Sequence, residues 1–147
     1  MGARGPLRGS SIVARRSTPD PLGGMDIEPP SPTLVRALTR RESELLSLLL
    51  TEAGANGAIY LSQVGAASVV GACDCGCATV DLAVGGRRAD PVWPEEIVSD
   101  GQGVDDRGNP VGVLVFARDG LLSCLEIYRQ SDAREVGLPT VKSMALP

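Results

Sequence analysis

The stretch "VGVLVFARDGLLSCLEIY", residues 111–128, constrains the fold of this chain more than any other. Two apolar runs flank Arg118-Asp119-Gly120-Leu121, and Asp-Gly between such runs suits a type I′ hairpin turn, which needs positive φ at both central residues. A two-residue turn sets Arg118 opposite Leu121, Phe116 opposite Ser123, Leu114 opposite Leu125 and Gly112 opposite Ile127. The other face then carries Ala117, Val115, Val113 and Val111 against Leu122, Cys124, Glu126 and Tyr128. Both faces are largely apolar, which predicts a central hairpin covered on two sides.

Upstream, Thr39-Arg40-Arg41-Glu42 has the spacing of a capping box, in which the Thr hydroxyl and the Glu carboxylate satisfy each other's backbone N–H. Leu45, Leu46, Leu48, Leu49 and Leu50 follow, and Gly54 is a natural stop. These residues predict one helix over about 40–53 that docks through a leucine face, and a shorter helical piece fits 58–64. The period then changes. "ASVVGAC" and "CATVDLAV" read as strands, the second alternating Ala78, Val80, Leu82 and Val84 with Cys77, Thr79, Asp81 and Ala83. A weaker strand fits 96–104, where Gly101 and Gly103 suggest a bulge or bend, and 105–110 is a turn by composition. The predicted class is α+β: an N-terminal helix, with the shorter second one as an option, packed on an antiparallel sheet of about five strands built from hairpins. Residues 34–147 are expected to make a single domain. Residues 1–33, rich in Gly, Pro, Ser and Arg and lacking any apolar period, are expected to be a disordered tail, and Met25 offers an alternative start.

Composition removes whole classes of function. The 147 residues contain no histidine, which excludes Ser-His-Asp and Cys-His catalysis and every zinc site that needs imidazole. Lys142 is the sole lysine. The formal charge is −4, unevenly spread: residues 1–24 hold four arginines against Asp20, leaving 10 basic and 17 acidic residues in the remainder, a net of −7. Such a balance repels phosphate backbones and anionic bilayers, so neither nucleic acid nor membrane is an expected partner. Four aromatics, Tyr60, Trp93, Phe116 and Tyr128, are too few for a base-stacking platform. No apolar run reaches the roughly 18 residues of a membrane span, and "STPDPLGGMDIEPPSPT" follows Arg15-Arg16 where a twin-arginine signal needs an apolar segment. A cytoplasmic protein is expected, with its thiols reduced.

Three of the four cysteines crowd into "GACDCGCATVDL". A thiolate zinc site would use Cys73, Cys75 and Cys77, with Cys124 as fourth ligand. On a straight strand alternate sulfurs sit about 7 Å apart, whereas zinc holds its thiolates within about 4 Å of each other, so this option requires a tight, irregular turn. If Cys75-Gly76 is instead a two-residue hairpin, Cys73 pairs with Ala78 and shares the apolar face with Val80 and Leu82. Cys77 then joins Thr79 and Asp81 on the other face, and the thiols diverge as ordinary small core residues. A reactive thiol is the third option, without a C-x-x-C partner or a histidine to activate it. The alternatives are therefore no cofactor or zinc.

Carboxylates offer acid/base candidates in Asp81, Glu95, Glu96, Glu126 and the Asp105-Asp106 pair. The pair lies in a turn, where Asp commonly bonds the backbone. Glu126, in a strand and opposite Val113 in the expected register, is either solvated or a contact for a cationic group on a partner. "GGRR" and "DGQG" match no phosphate loop.

The layout "LTRRESELLSLLL", "VVGACDCGCATVDLAV", "NPVGVLVFARDGLLSCLEIYRQSD" and "LP" resembles a family of small hypothetical proteins from high-GC bacteria, over about residues 37–139. The "DGLLSCLEIYR…LP" ending is similar to a motif in immunity proteins of polymorphic-toxin systems, which act by binding. Together with the charge and the missing histidine, this resemblance implies a non-enzymatic, acidic binding or accessory protein whose partner is a basic protein. The alternative is a zinc-binding protein using the cysteine cluster.

Overall fold

Helix α1 (Arg40–Glu52) begins at Thr39, whose hydroxyl accepts the Glu42 N–H at 3.1 Å while the Glu42 carboxylate accepts the Thr39 N–H at 2.8 Å. Arg36, in the short strand β1 (Arg36–Ala37), grips the same carboxylate at 2.8 and 2.9 Å. Burial pushes the Glu42 carboxyl up, but the Arg36 guanidinium and the Thr39 amide outweigh it and hold Glu42 below its ordinary value. These contacts come from a computed structural model that describes residues 35–74 and 77–145. The expectations for residues 1–33 and for Cys75 lie outside the described residues.

The helix ends at Gly54 (φ 67°), and α2 (Ala55–Leu61) turns back against α1. A Cβ on Gly57 would collide with the Leu50 carbonyl oxygen, so the two helices touch backbone to backbone there. The expected second piece at 58–64 is therefore shifted: Gly57 lies inside the helix, and Val64–Ala66 forms a separate 3-10 turn.

The described residues contain β2 (Ala67–Ala72), β3 (Val80–Val84), β4 (Glu95–Val104), β5 (Pro110–Arg118) and β6 (Leu121–Arg129). With β1 they make one antiparallel sheet of six strands in the order β1-β2-β3-β6-β5-β4. About five strands were expected; the sixth is β1, whose two residues are too short to show alternation.

Asp119 (φ 54°) and Gly120 (φ 75°) form the expected two-residue turn, and Arg118 faces Leu121. Beyond it the expected register is corrected. Ala117 faces Leu122, but Phe116 faces Cys124, so Ser123 is an extra residue in β6. Every later pairing shifts by one: Val115 faces Leu125, Leu114 faces Glu126, Val113 faces Ile127 and Gly112 faces Tyr128. Because side chains alternate, one inserted residue exchanges the faces of all that follow. Leu125 and Ile127 thereby join Val111, Val113, Val115, Ala117 and Leu122 in the core, while Cys124, Glu126 and Tyr128 turn the other way. In β4 the irregularity falls at Val98, not at Gly101 or Gly103.

On its inner face the sheet packs against Leu45, Leu46, Leu49 and Leu50, all fully buried. Ser99 fixes the approach by donating its hydroxyl proton to the Leu49 carbonyl at 2.8 Å. The C-terminal segment lies on this side too, beside Gly103, where Pro139, Ser143 and Met144 surround the position a Cβ would take. Ala145 closes two backbone bonds with Gln102 on the edge of β4. Expected to be covered on both faces, the β5–β6 hairpin is covered by helix on one among the described residues.

Candidate functional site

Two features carry chemistry. The first is the outer face of the sheet. Cross-strand partners share a face, so the registers define rows across it. One row runs Asp81, Cys124, Phe116, Ile97 over β3, β6, β5 and β4. Beside it lies Glu126, Leu114, Asp100, then Tyr128, Gly112, Gln102; at the hairpin tip stands Leu121, Arg118, Glu95. Leu114, Phe116 and Cys124 are half-buried, Ile97 is 59% exposed, and Asp81, Asp100, Glu95 and Glu126 surround them. The Tyr128 ring lies flat over Gly112, where a side chain would displace it.

Arg118 is the cation within these rows. It meets Glu95 at 3.5 Å, and its buried Nε–H finds no acceptor among the described residues. The β3–β4 connection borders this end with Arg88 and Pro91, leaving a hollow of about 340 Å³ against Asp81, Glu95, Arg118 and Ser123.

The second feature is a cleft of about 710 Å³ at the opposite end of the sheet, lined by Cys73, Cys77, Thr79, Glu126, Tyr128 and Arg129 among others. The two-residue hairpin option has these thiols diverge; instead Cys73 and Cys77 line one cleft. The reason is a bulge in β2: Val69 pairs with Leu82, as a two-residue hairpin would have it, but Gly71 pairs with Asp81, so Val70 is an extra residue. Ala72 pairs with Val80 and the Cys73 N–H donates to the Thr79 carbonyl at 3.3 Å, so Cys73 stands opposite Thr79 and not Ala78. That one-residue difference moves Cys73 to the face of Thr79 and Cys77.

Cys124 is elsewhere, in the row beside Asp81 and Phe116 and not in the lining of the cleft. Burial first, then the carboxylates of Asp81, Glu95 and Glu126 and the neighbouring Cys77, push its thiol up to about 12. It is therefore protonated at neutral pH, a poor nucleophile and a weak metal ligand on its own. Among the described residues no group of three or more Cys, Asp or Glu is arranged to hold a metal ion.

Asp105 was grouped with Asp106 as an acid/base candidate. The structure assigns them separate tasks. Asp105 is 5% exposed and accepts from the Arg107 and Asn109 N–H groups at 2.9 and 2.8 Å, from the Asn109 side chain at 3.1 Å and from Gly137 N–H at 3.0 Å. The Gly137 bond, opposed by burial and joined by the Asn109 and Arg107 bonds, lowers its carboxyl to about 2. Asp106 pairs with Arg41 at 2.9 Å, and Arg41 also donates to the Leu138 carbonyl. This is a clamp joining α1, the β4–β5 turn and the C-terminal segment.

Arg129, Arg134 and Tyr128 in the cleft were not singled out from the sequence. The available signal was "YRQSDAR", two arginines flanking a turn in an otherwise acidic domain. Comparison with protein-family models, with curated proteins and with solved structures finds no match. Among the described residues no helix is long and apolar enough to cross a membrane.

Proposed function

We propose that the chain is a non-enzymatic binding protein that holds a basic protein against the outer face of its sheet. The observation that carries this reading is the pair of rows Asp81-Cys124-Phe116-Ile97 and Glu126-Leu114-Asp100, an apolar centre enclosed by carboxylates with no described helix upon it. Apolar centre and charged surround are the anatomy of a transient protein interface. Four carboxylates against Arg118 and the bordering Arg88 leave this face at about −2, which steers a cationic partner and disfavours a second copy of the same face. An immunity-type role in the cytoplasm, in which a small acidic protein covers a basic one, is the form of this reading that the resemblance of the hairpin suggests.

The test is affinity capture with the full chain beside Phe116→Asp and Asp81→Lys/Asp100→Lys variants, followed by reconstitution from purified components. The reading requires a basic protein that binds the parent chain, is lost from both variants and weakens as salt is raised. Capture unaffected by either variant, an acidic partner, or a parent dimer that the variants convert to monomer overturns it.

A second reading is favoured by one observation, the convergence of Cys73 and Cys77 on the same cleft. In it these two thiols, with Cys75, hold a zinc ion, and Cys124 contributes only if the cation draws its thiol down. Native mass spectrometry of the full chain purified without chelator decides it: one zinc per chain, lost on denaturation and absent from Cys77→Ser, is the result required.

A further inference from the structure

Strand β3 stops short of the end of β6. The two pair at Val80–Leu125 and Asp81–Cys124, and Thr79 extends the contact by one step: its hydroxyl accepts the Ile127 N–H at 2.9 Å and donates to the Ile127 carbonyl at 3.1 Å. Backbone groups alternate sides along an antiparallel strand, so Arg129, two residues on, turns its N–H and carbonyl to the same side as Ile127. Gln130, of the opposite parity, donates to Pro110 across the β5 side at 3.2 Å. No strand pairs with Arg129 on the β3 side among the described residues. The 710 Å³ cleft is the space at this gap, and its volume lies within the range of about 300–1,000 Å³ usual for small-molecule sites.

Two arginines gather at this cleft in an otherwise acidic domain. Arg36, Arg40, Arg41 and Arg118 are each matched to a carboxylate. Arg129 and Arg134, both lining the cleft, join no ion pair among the described residues; Arg129 instead donates to the Ala133 carbonyl at 3.2 Å, which ties the following loop back to β6. Two guanidiniums outside any ion pair among the described residues thus meet a lining that includes Ile127, Val136 and Tyr128. Glu126, from the other face of β6, places one carboxylate in the same lining.

We infer that this cleft binds a small apolar carboxylate. The guanidiniums of Arg129 and Arg134, with the outward-facing Arg129 N–H, take the carboxylate through charge-assisted hydrogen bonds. The hydrocarbon body lies against Ile127, Val136 and Tyr128. Glu126 opposes further negative charge, so a monoanion is preferred over a dianion such as a phosphate monoester. The inference does not rest on the basic-partner reading, because neither arginine belongs to the outer-face rows that carry it, although Glu126 borders both sites.

The test is a fluorescence titration of the full chain, in EDTA to exclude metal bridging, with 8-anilinonaphthalene-1-sulfonate, an apolar monoanionic probe, displaced by octanoate. One saturable site per chain is expected, with octanoate displacing the dye and octanol and octylamine failing to. Octyl phosphate should compete at least 5-fold more weakly. Arg134→Ala should weaken the dye at least 5-fold, and Arg129→Ala/Arg134→Ala at least 30-fold, with thermal midpoints confirming that both variants fold. Absence of saturable binding, equal displacement by octanol, or binding unchanged in the folded Arg134→Ala and double variants overturns the inference. So does a dye response that follows Phe116→Asp and not the arginines, since the probe would then report the outer face.

Discussion

Asp105 shows how much a single carboxylate holds in this chain. Its two oxygens accept four hydrogen bonds, three of them within its own turn and one from Gly137, 32 residues away. Asp105→Ala leaves these donors without acceptors in a buried setting and should cost about 3 kcal/mol, measured by urea unfolding at pH 7. The pH dependence has a definite sign. The folded carboxyl lies at about 2, below its ordinary value, so its stabilisation is complete above about pH 4 and lost as pH falls towards 2. The stability difference between the parent and Asp105→Asn should therefore shrink over that interval; a constant difference would show that the carboxylate's charge is not what matters. Glu42, held low by Arg36, adds to the same acid loss. The turn bonding of Asp105 was legible in the sequence because Asp habitually bonds its own backbone within a few residues. The bond to Gly137 was not, since no local pattern announces a partner that far along the chain.

At the scale of the element, Ser123 decides which side chains the core receives. Deleting it would remove the bulge and leave Cys124, Glu126 and Tyr128 opposite Phe116, Leu114 and Gly112 on the outer face, whereas pairing it with Phe116 would turn all three towards the leucines of α1. The deletion is therefore expected to keep cooperative unfolding by circular dichroism, and its loss would show that the faces had exchanged. Ser123→Ala, which keeps the residue count and loses only the 2.9 Å bond to Glu95, should cost less than about 1 kcal/mol. Gly57→Ala should be far more damaging than its helix propensity implies, by about 2–3 kcal/mol, because overpacking would separate α2 from the Leu50 carbonyl. Element type was legible wherever the apolar period ran long, in α1, β5 and β6. The bulge was legible in principle through Glu126: a carboxylate that the simple register would bury is itself the sign of an inserted residue. The β2 bulge was not, because nothing in Ser68-Val69-Val70-Gly71 marks which residue is left unpaired. That ambiguity is why the convergence of Cys73 and Cys77 was missed.

For the whole molecule, the fold and the outer-face charge are expected to separate cleanly. Asp81→Lys/Asp100→Lys brings the formal charge from −4 to zero, yet both positions point away from the core. Thermal unfolding should shift by no more than about 0.5 kcal/mol per site, while the salt-sensitive component of partner binding disappears. The fold class could be read from the chain, but the open sheet face could not, because both faces of the hairpin look apolar until the helix is seen to cover one. Synthesis gives the sheet order a different significance. The leucines of α1 emerge early, but the strands that bury them include β5 and β6, which end at Arg129, roughly 80 residues later. At ribosomal rates of about 5–20 residues per second, that interval is about 4–16 s. During it, four leucines wait without their sheet, so the nascent chain is a substrate for chaperones before it is a folded protein.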